Sequence, residues 1–237
     1  VSVAGADGGN TATLAGNSTI TSTNGDVDFG TVNDVNINGA YTLDLTSSTG
    51  DIDVHNIGNN SRVSTLTVDA GGTFTIGGGS IFTEEANVDF SACADVEIAA
   101  NLVIDTESGN DGNAGNVIFA SIASIDSAGG NSLQIDTQST GNAFGDITVG
   151  VLGAINQLSS FDADGNIVTL YGVGTAVSAG VSGTIDIDAY DDTTVDSGQV
   201  VLDGNAYNSG SSQTYTGGTD GIRIVVNNSD KTFVTAA

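Results

Sequence analysis

The sequence predicts an all-β protein built as a β-solenoid, with a β-sandwich as the alternative. Three observations predict it: a short phrase that recurs along the chain, apolar residues that alternate with period two, and the absence of proline. The phrase is a glycine, a polar residue, then two apolar residues flanking one that should face outward. It occurs as Gly25-Asp26-Val27-Asp28-Phe29, Gly50-Asp51-Ile52-Asp53-Val54, Gly115-Asn116-Val117-Ile118-Phe119, Gly145-Asp146-Ile147-Thr148-Val149 and Gly198-Gln199-Val200-Val201-Leu202. A chain that repeats one phrase builds one repeated structural unit. Period two places alternate side chains on opposite faces of a strand, so Val, Ile, Leu and Phe point inward and Asp, Thr, Asn and Gln outward. Proline would remove a ladder donor from strands paired on both edges, and none of the 237 residues is proline.

Each phrase has a preceding half. Leu43-Asp44-Leu45 precedes the Gly50 phrase, and Leu66-Thr67-Val68 precedes a looser copy, Thr73-Phe74-Thr75-Ile76. Leu102-Val103-Ile104-Asp105-Thr106 precedes the Gly115 phrase, and Leu133-Gln134-Ile135-Asp136-Thr137 precedes the Gly145 phrase. Ile185-Asp186-Ile187-Asp188 precedes the Gly198 phrase. Gly25 and Gly50 lie 25 residues apart, an offset Val32 and Ile57 share; Leu43 and Leu66 lie 23 apart, Leu102 and Leu133 31 apart. These spacings define a coil of about 22–31 residues, the period of a solenoid turn. Gly, Asn, Asp and Ser fill the turns because they tolerate positive φ or bond their own backbone. Thr83-Glu84-Glu85-Ala86 is the one place that suggests a helical turn, and nothing continues it. Residues 1–237 read as a single array with less regular ends at 1–19 and 207–237. About six to eight coils at about 4.8 Å each predict a rod of roughly 30–40 Å. Irregular spacing at 150–183 and after 203 is what keeps the sandwich open.

Composition narrows the function. The net charge is −26, from 29 acidic and 3 basic residues. Nucleic-acid binding needs Lys and Arg to replace counterions at phosphate, and Arg62, Arg223 and Lys231 cannot make that surface. Anionic membranes and polyanionic glycans are disfavoured for the same reason, while cations, neutral sugars and basic partners are not. No apolar stretch approaches the roughly 20 residues of a membrane-spanning helix. Cys93 is the single cysteine, which excludes an internal disulfide; beside Ala92 and Ala94 it reads as a packed apolar residue. With Val1 first and no methionine anywhere, the chain is expected to be a processed form or a piece of a longer product, and no signal peptide remains.

The stretch from Leu133 to Phe161, with Gly145-Asp146-Ile147-Thr148-Val149-Gly150-Val151-Leu152-Gly153 followed by Leu158-Ser159-Ser160, resembles the repeat regions of large bacterial filamentous-haemagglutinin-like adhesins. Gln213-Thr214-Tyr215-Thr216-Gly217-Gly218 is similar to another recurrent phrase of those proteins. The resemblance covers residues 20–220 in pattern. It implies a right-handed parallel β-helix, export to the bacterial cell surface, and a role in adhesion or as a rigid stalk. The amino-terminal secretion domain of that family is not recognisable, and no catalytic residue can be carried over.

The sharpest candidate site is acidic. Stacking the first two phrases in register puts Asp26 over Asp51 and Asp28 over Asp53. Four carboxylates so placed could hold a hard cation such as calcium, which takes 6–8 oxygens; the alternative is a solvated acidic face. Asp162-Ala163-Asp164-Gly165-Asn166 and Asn110-Asp111-Gly112-Asn113 read as Asx-rich turns with only a partial likeness to calcium loops. His55, the single histidine, is expected at the surface.

The expectation is an extracellular structural or adhesive rod and not an enzyme. It would associate with itself, head-to-tail or laterally, as a stalk or filament subunit, and its outside partners would be cell-surface or matrix glycans. No cofactor other than calcium is implied. The alternatives are an S-layer or pilus-like sandwich subunit and a carbohydrate-active solenoid enzyme.

Overall fold

A computed structural model describes residues 10–30, 35–107, 109, 112–140, 143–175, 178, 180–190, 198–217, 221–227 and 232–235. Val32, Asn110, Asp111 and Lys231 lie outside the described residues. The chain winds as a parallel β-solenoid of about eight turns. At about 4.8 Å per turn the stack is about 38 Å long.

Every coil visits three faces. The first face stacks Ser18–Ser22, Thr42–Ser47, Thr65–Ala70, Val88–Phe90 and Val117–Phe119, and it ends with Gly198–Leu202 and Ile222–Val226. The second stacks Val27–Asp28, Ile52–Val54, Thr73–Ile76, Asp95–Ile98 and Ser124–Ser127, and it ends with Ala206–Ser209 and Thr232–Thr235. Ile147–Leu152 and Ile167–Val173 run around the corner and serve both faces. The third face stacks Thr11–Thr13, Asn36–Asn38, the single position Ile57, Ser80–Phe82, Leu102–Asp105, Leu133–Asp136, Phe161–Gly165, Ile185–Ala189 and Gln213–Gly217. All strand pairs are parallel, and the one antiparallel bridge among the described residues joins Glu84 to Glu107. A sandwich pairs antiparallel neighbours, so that alternative fails.

The expected registers are present: Val27 pairs with Ile52, Leu43 with Leu66, Leu102 with Leu133, and Val117 with Ile147. The phrase, however, serves two different faces. After Gly25 and Gly50 it forms the second face; after Gly115, Gly145 and Gly198 it forms the first. The paired halves are therefore two faces of a three-faced coil. Two further readings change. Ile57 bridges Ile37 and Ile81. Thr83 and Glu84 form single bridges and the chain bends at Glu85, φ 53°, with no helical turn at Thr83-Glu84-Glu85-Ala86.

The core is a set of single-file ladders. On the third face one row runs through Ala12, Ile37, Ile57, Ile81, Ile104, Ile135, Ala163 and Ile187. From Ile37 to Ile187 these side chains are buried. Phe90 of the first face packs against Phe74 of the second at 5.0 Å and against Phe119 of its own face at 5.1 Å. Cys93 is fully buried as expected, its Sγ donating to Val68 O, and burial pushes the thiol up to about 11.

Three of the phrase glycines, Gly50, Gly115 and Gly145, are required by stacking. None of Gly25, Gly50, Gly115, Gly145 and Gly198 has a positive φ. A Cβ on Gly145 would lie 1.9 Å from Gly115 O, and one on Gly50 would lie 2.6 Å from Gly25 O. Successive coils thus touch backbone to backbone at these corners. Buried hydroxyls tie the same corners: Thr106 Oγ1 donates to Gly115 O and Thr137 Oγ1 to Gly145 O, both at 2.8 Å.

Candidate functional site

Two arrangements on the outside of the rod carry chemistry, and the acidic quartet belongs to neither. Register does place Asp28 beside Asp53. The second residue of the phrase has a different use. Asp26 Oδ1 accepts the Asp51 N–H at 3.0 Å, and Asp51 Oδ1 accepts the Thr73 N–H at 2.8 Å. The same relay runs up another corner, from Asn87 to the Asn116 N–H at 2.8 Å and from Asn116 to the Asp146 N–H at 2.8 Å. A corner breaks the strand ladder, and an Asx side chain from the coil below supplies the acceptor its backbone lacks. Asp53 is half-buried; desolvation raises its carboxyl, a bond from Thr75 opposes this, and the charges of Asp28, Asp51 and Asp26 add to it. Among the described residues no three His, Cys, Asp or Glu side chains come together as a metal-binding group. His55 is half-exposed at the corner after Val54.

The denser carboxylate array lies on the third face. Asp105, Asp136, Asp164 and Asp188 form one outward row, with Asp162 and Asp186 beside it. Phe161–Gly165 is a strand of this face, so Asp162 and Asp164 stand on its outer side while Ala163 points in. This overturns the Asx-turn reading: alternation across Phe161, Ala163 and Gly165 outweighs the turn preference of Asp and Gly. Neighbouring charges about 4.8 Å apart repel by about 0.9 kcal/mol even at the dielectric of water. Desolvation, with Asp162, Asp136, Asp188 and Asp186 nearby, raises Asp164 to about 7. Desolvation raises Asp105 to about 6; the Glu107 N–H lowers it and Asp136 raises it further. Asp136 and Asp162 are also raised, chiefly by desolvation.

These shifts have a definite sign. An unfolded Asp titrates near 3.8, below the folded values of about 6 and about 7. Between those limits the folded chain holds more protons than the unfolded one. The stabilisation is complete below the unfolded value and is lost as pH rises through about 6 to 7. We expect the melting temperature to fall between about pH 4 and about pH 7. Asp164→Asn should raise it at the upper pH by about 2–4 °C, the response of a chain this size to about 1 kcal/mol, and should flatten the slope. A melting temperature that climbs with pH through this window would contradict the ladder.

The second arrangement is a recess of about 460 Å³ at the edge of the third face, lined by Gly58, Asn59, Asn60, Ser61, Arg62, Phe82 and Glu84. Gly58 turns the chain off the face at φ 74°, and a Cβ there would lie 2.1 Å from Phe82 O. Asn38, 3% exposed, pins the loop: its Oδ1 accepts the N–H groups of Asn60 at 2.9 Å and Ser61 at 3.0 Å. Val63 N donates to Phe82 O at 3.2 Å and Glu84 N to Val63 O at 3.2 Å, which fixes the opposite wall. Arg62 Nη1 meets Glu84 Oε2 at 2.5 Å. That bond, with Asp105 and Glu107 nearby, raises the guanidinium further above its ordinary value. Asn59 Oδ1 is enclosed and accepts no hydrogen bond from the protein. Arg62 and Glu84 sit in different coils, so no local motif joins them, and sequence reading used Arg62 only to exclude nucleic acid.

The chain matches no protein-family model, no curated protein and no solved structure.

Proposed function

We propose that this chain is a structural rod of an extracellular surface assembly, self-associating end to end as a stalk or filament subunit with an adhesive role. The supporting observation is the last strand of the first face. Ile224 and Val226 occupy the inward rows of Val200 and Leu202. Val200 is 0% and Leu202 1% exposed, but Ile224 is 49% and Val226 53% exposed. Inward side chains left in solvent are an unfinished core. Such an edge invites a further strand, from a later coil of a longer chain or from a second copy of this one. At the opposite end Ile20 is inward on the first face and only partly buried. A second copy continuing the register would set its Ile20 on Val226 and its Ala12 on Tyr215. Sedimentation velocity tests this. The wild-type chain should form linear multimers that grow with concentration, and Ile224→Lys with Val226→Lys should remain monomeric with an unchanged circular dichroism spectrum. A wild-type chain that stays monomeric at every concentration would overturn the reading.

A further inference from the structure

We propose that Asn24 is a self-modification site: the backbone nitrogen of Gly25 displaces its side-chain amide, leaving an aspartyl or isoaspartyl residue at that position. The inference stands apart from end-to-end assembly, and neither depends on the other.

The reaction needs only water and hydroxide. Hydroxide removes the Gly25 amide proton, the nitrogen attacks Asn24 Cγ, a C–N bond forms and ammonia leaves, giving a cyclic succinimide. Water then opens the ring. Opening at the Cγ carbonyl restores the main chain with a carboxylate side chain. Opening at the main-chain carbonyl sends the chain through Cγ, one carbon longer. Glycine is the residue best suited to follow the asparagine, because it has no Cβ to obstruct the close approach of its nitrogen.

The fold separates the two places where this pair occurs, Asn24-Gly25 and Asn38-Gly39. Asn24 is exposed in the bend between Ser18–Ser22 and Val27–Asp28. The space around Gly25 is open: a Cβ there meets only Ser22 Oγ, at 3.8 Å. Among the described residues no hydrogen bond engages the Gly25 N–H or the Asn24 carboxamide. At the matching corner one coil further on, the Gly50 N–H is held by Ser47 Oγ at 2.9 Å. Asn38 is the reverse of Asn24. It is 3% exposed, its Oδ1 holds the Asn60 and Ser61 N–H groups, and the nitrogen that would attack it, Gly39 N, donates to Ser61 O at 3.0 Å. Electrophile and nucleophile are both fixed there, and water is kept out.

The site also has leverage. Immediately after it, Gly25 O accepts from Ser47 Oγ at 2.9 Å, Asp26 Oδ1 from the Asp51 N–H at 3.0 Å, and Val27 N donates to Asp51 O at 2.9 Å. These bonds fasten one coil to the next, so an extra backbone carbon just before them loosens that attachment.

The test is incubation of the chain at mildly alkaline pH, folded and in urea, with peptide mass spectrometry to follow the conversion of amide to acid at positions 24 and 38. In the folded chain Asn24 should convert at least about tenfold faster than Asn38, and in urea the two rates should converge. Gly25→Ala, which leaves the fold intact, should slow conversion at Asn24 by at least about tenfold. In the isoaspartyl fraction, hydrogen exchange at the Asp51 amide should quicken. An Asn24 that keeps its amide in the folded chain overturns the inference. So does an Asn38 that converts as fast, or a Gly25→Ala chain that converts like the wild type. Unchanged exchange at Asp51 in the isoaspartyl fraction would overturn the loosening.

Discussion

Replacing Phe90 by Ala should cost about 3–5 kcal/mol, the range for deleting a large buried aromatic. Phe90 is fully buried and is the middle ring of three, 5.0 Å from Phe74 and 5.1 Å from Phe119. The core is one ladder wide, so no second layer can slide in to fill the space. The substitution also removes two tilted ring contacts, each worth about 0.5–1.5 kcal/mol beyond area burial. Because a solenoid is held by contacts between neighbouring coils, hydrogen exchange should accelerate first at Phe74, Val88 and Val117. Urea unfolding gives the magnitude. Ile122→Ala, at a position 80% exposed, should stay within about 0.5 kcal/mol of wild type. Equal midpoints for the two variants would refute the ladder.

Gly145→Ala should cost about 3 kcal/mol or more, at or beyond the top of the usual overpacking range. One methyl is added, and it would lie 1.9 Å from Gly115 O and 2.6 Å from Gly115 C. Both are backbone atoms of the coil below, and neither can rotate away. The Thr137 hydroxyl that holds Gly145 O at 2.8 Å restrains the same corner. Gly25→Ala is the internal comparison. Gly25 opens the same phrase, but a Cβ there meets only Ser22 Oγ at 3.8 Å, so the change should stay within about 0.5 kcal/mol. Equal costs at the two positions would mean that glycine serves local turn geometry and not stacking.

That comparison shows how far the sequence could be read. Pairs such as Leu43 with Leu66 and Leu102 with Leu133 were legible because aliphatic residues at matching offsets need no structural context. The strand of each coil outside the paired halves was not. Asn36–Asn38 and Ser124–Ser127 are short and bury polar side chains such as Asn38, Asp126 and Ser127, which erases the period-two signal. Asn38 and Asp126 stand on outward rows, in register with Thr13 and Glu97, and are buried because loops fold over them and donate N–H groups to them. Asp126 Oδ1, for example, takes the N–H groups of both Ile155 and Asn156 at 2.8 Å.

The candidate site was less legible still. Asp26 and Asp51 looked like free surface charge because their partners, the Asp51 and Thr73 N–H groups, lie one coil away. The row of Asp105, Asp136, Asp164 and Asp188 emerges only once three coil boundaries are known. The recess required a loop and a strand 22 residues apart, Arg62 with Glu84, to be brought together.

End-to-end continuation is tested most directly by a cross-link between two singly substituted copies, Thr19→Cys and Val225→Cys. One outward row of the first face begins at Thr19, passes through Asp44, Thr67, Asp89, Ile118, Thr148, Thr169 and Val201, and ends at Val225. A second rod in register would set its Thr19 about 4.8 Å from Val225, within disulfide reach. The native Cys93 is buried and stays out of the reaction. Under mild oxidation the mixed pair should give the disulfide between the two introduced thiols in good yield, and Thr19→Cys with Ile155→Cys, on the exposed flank, should not. Equal yields from the two pairs, or none from either, would contradict assembly through the ends.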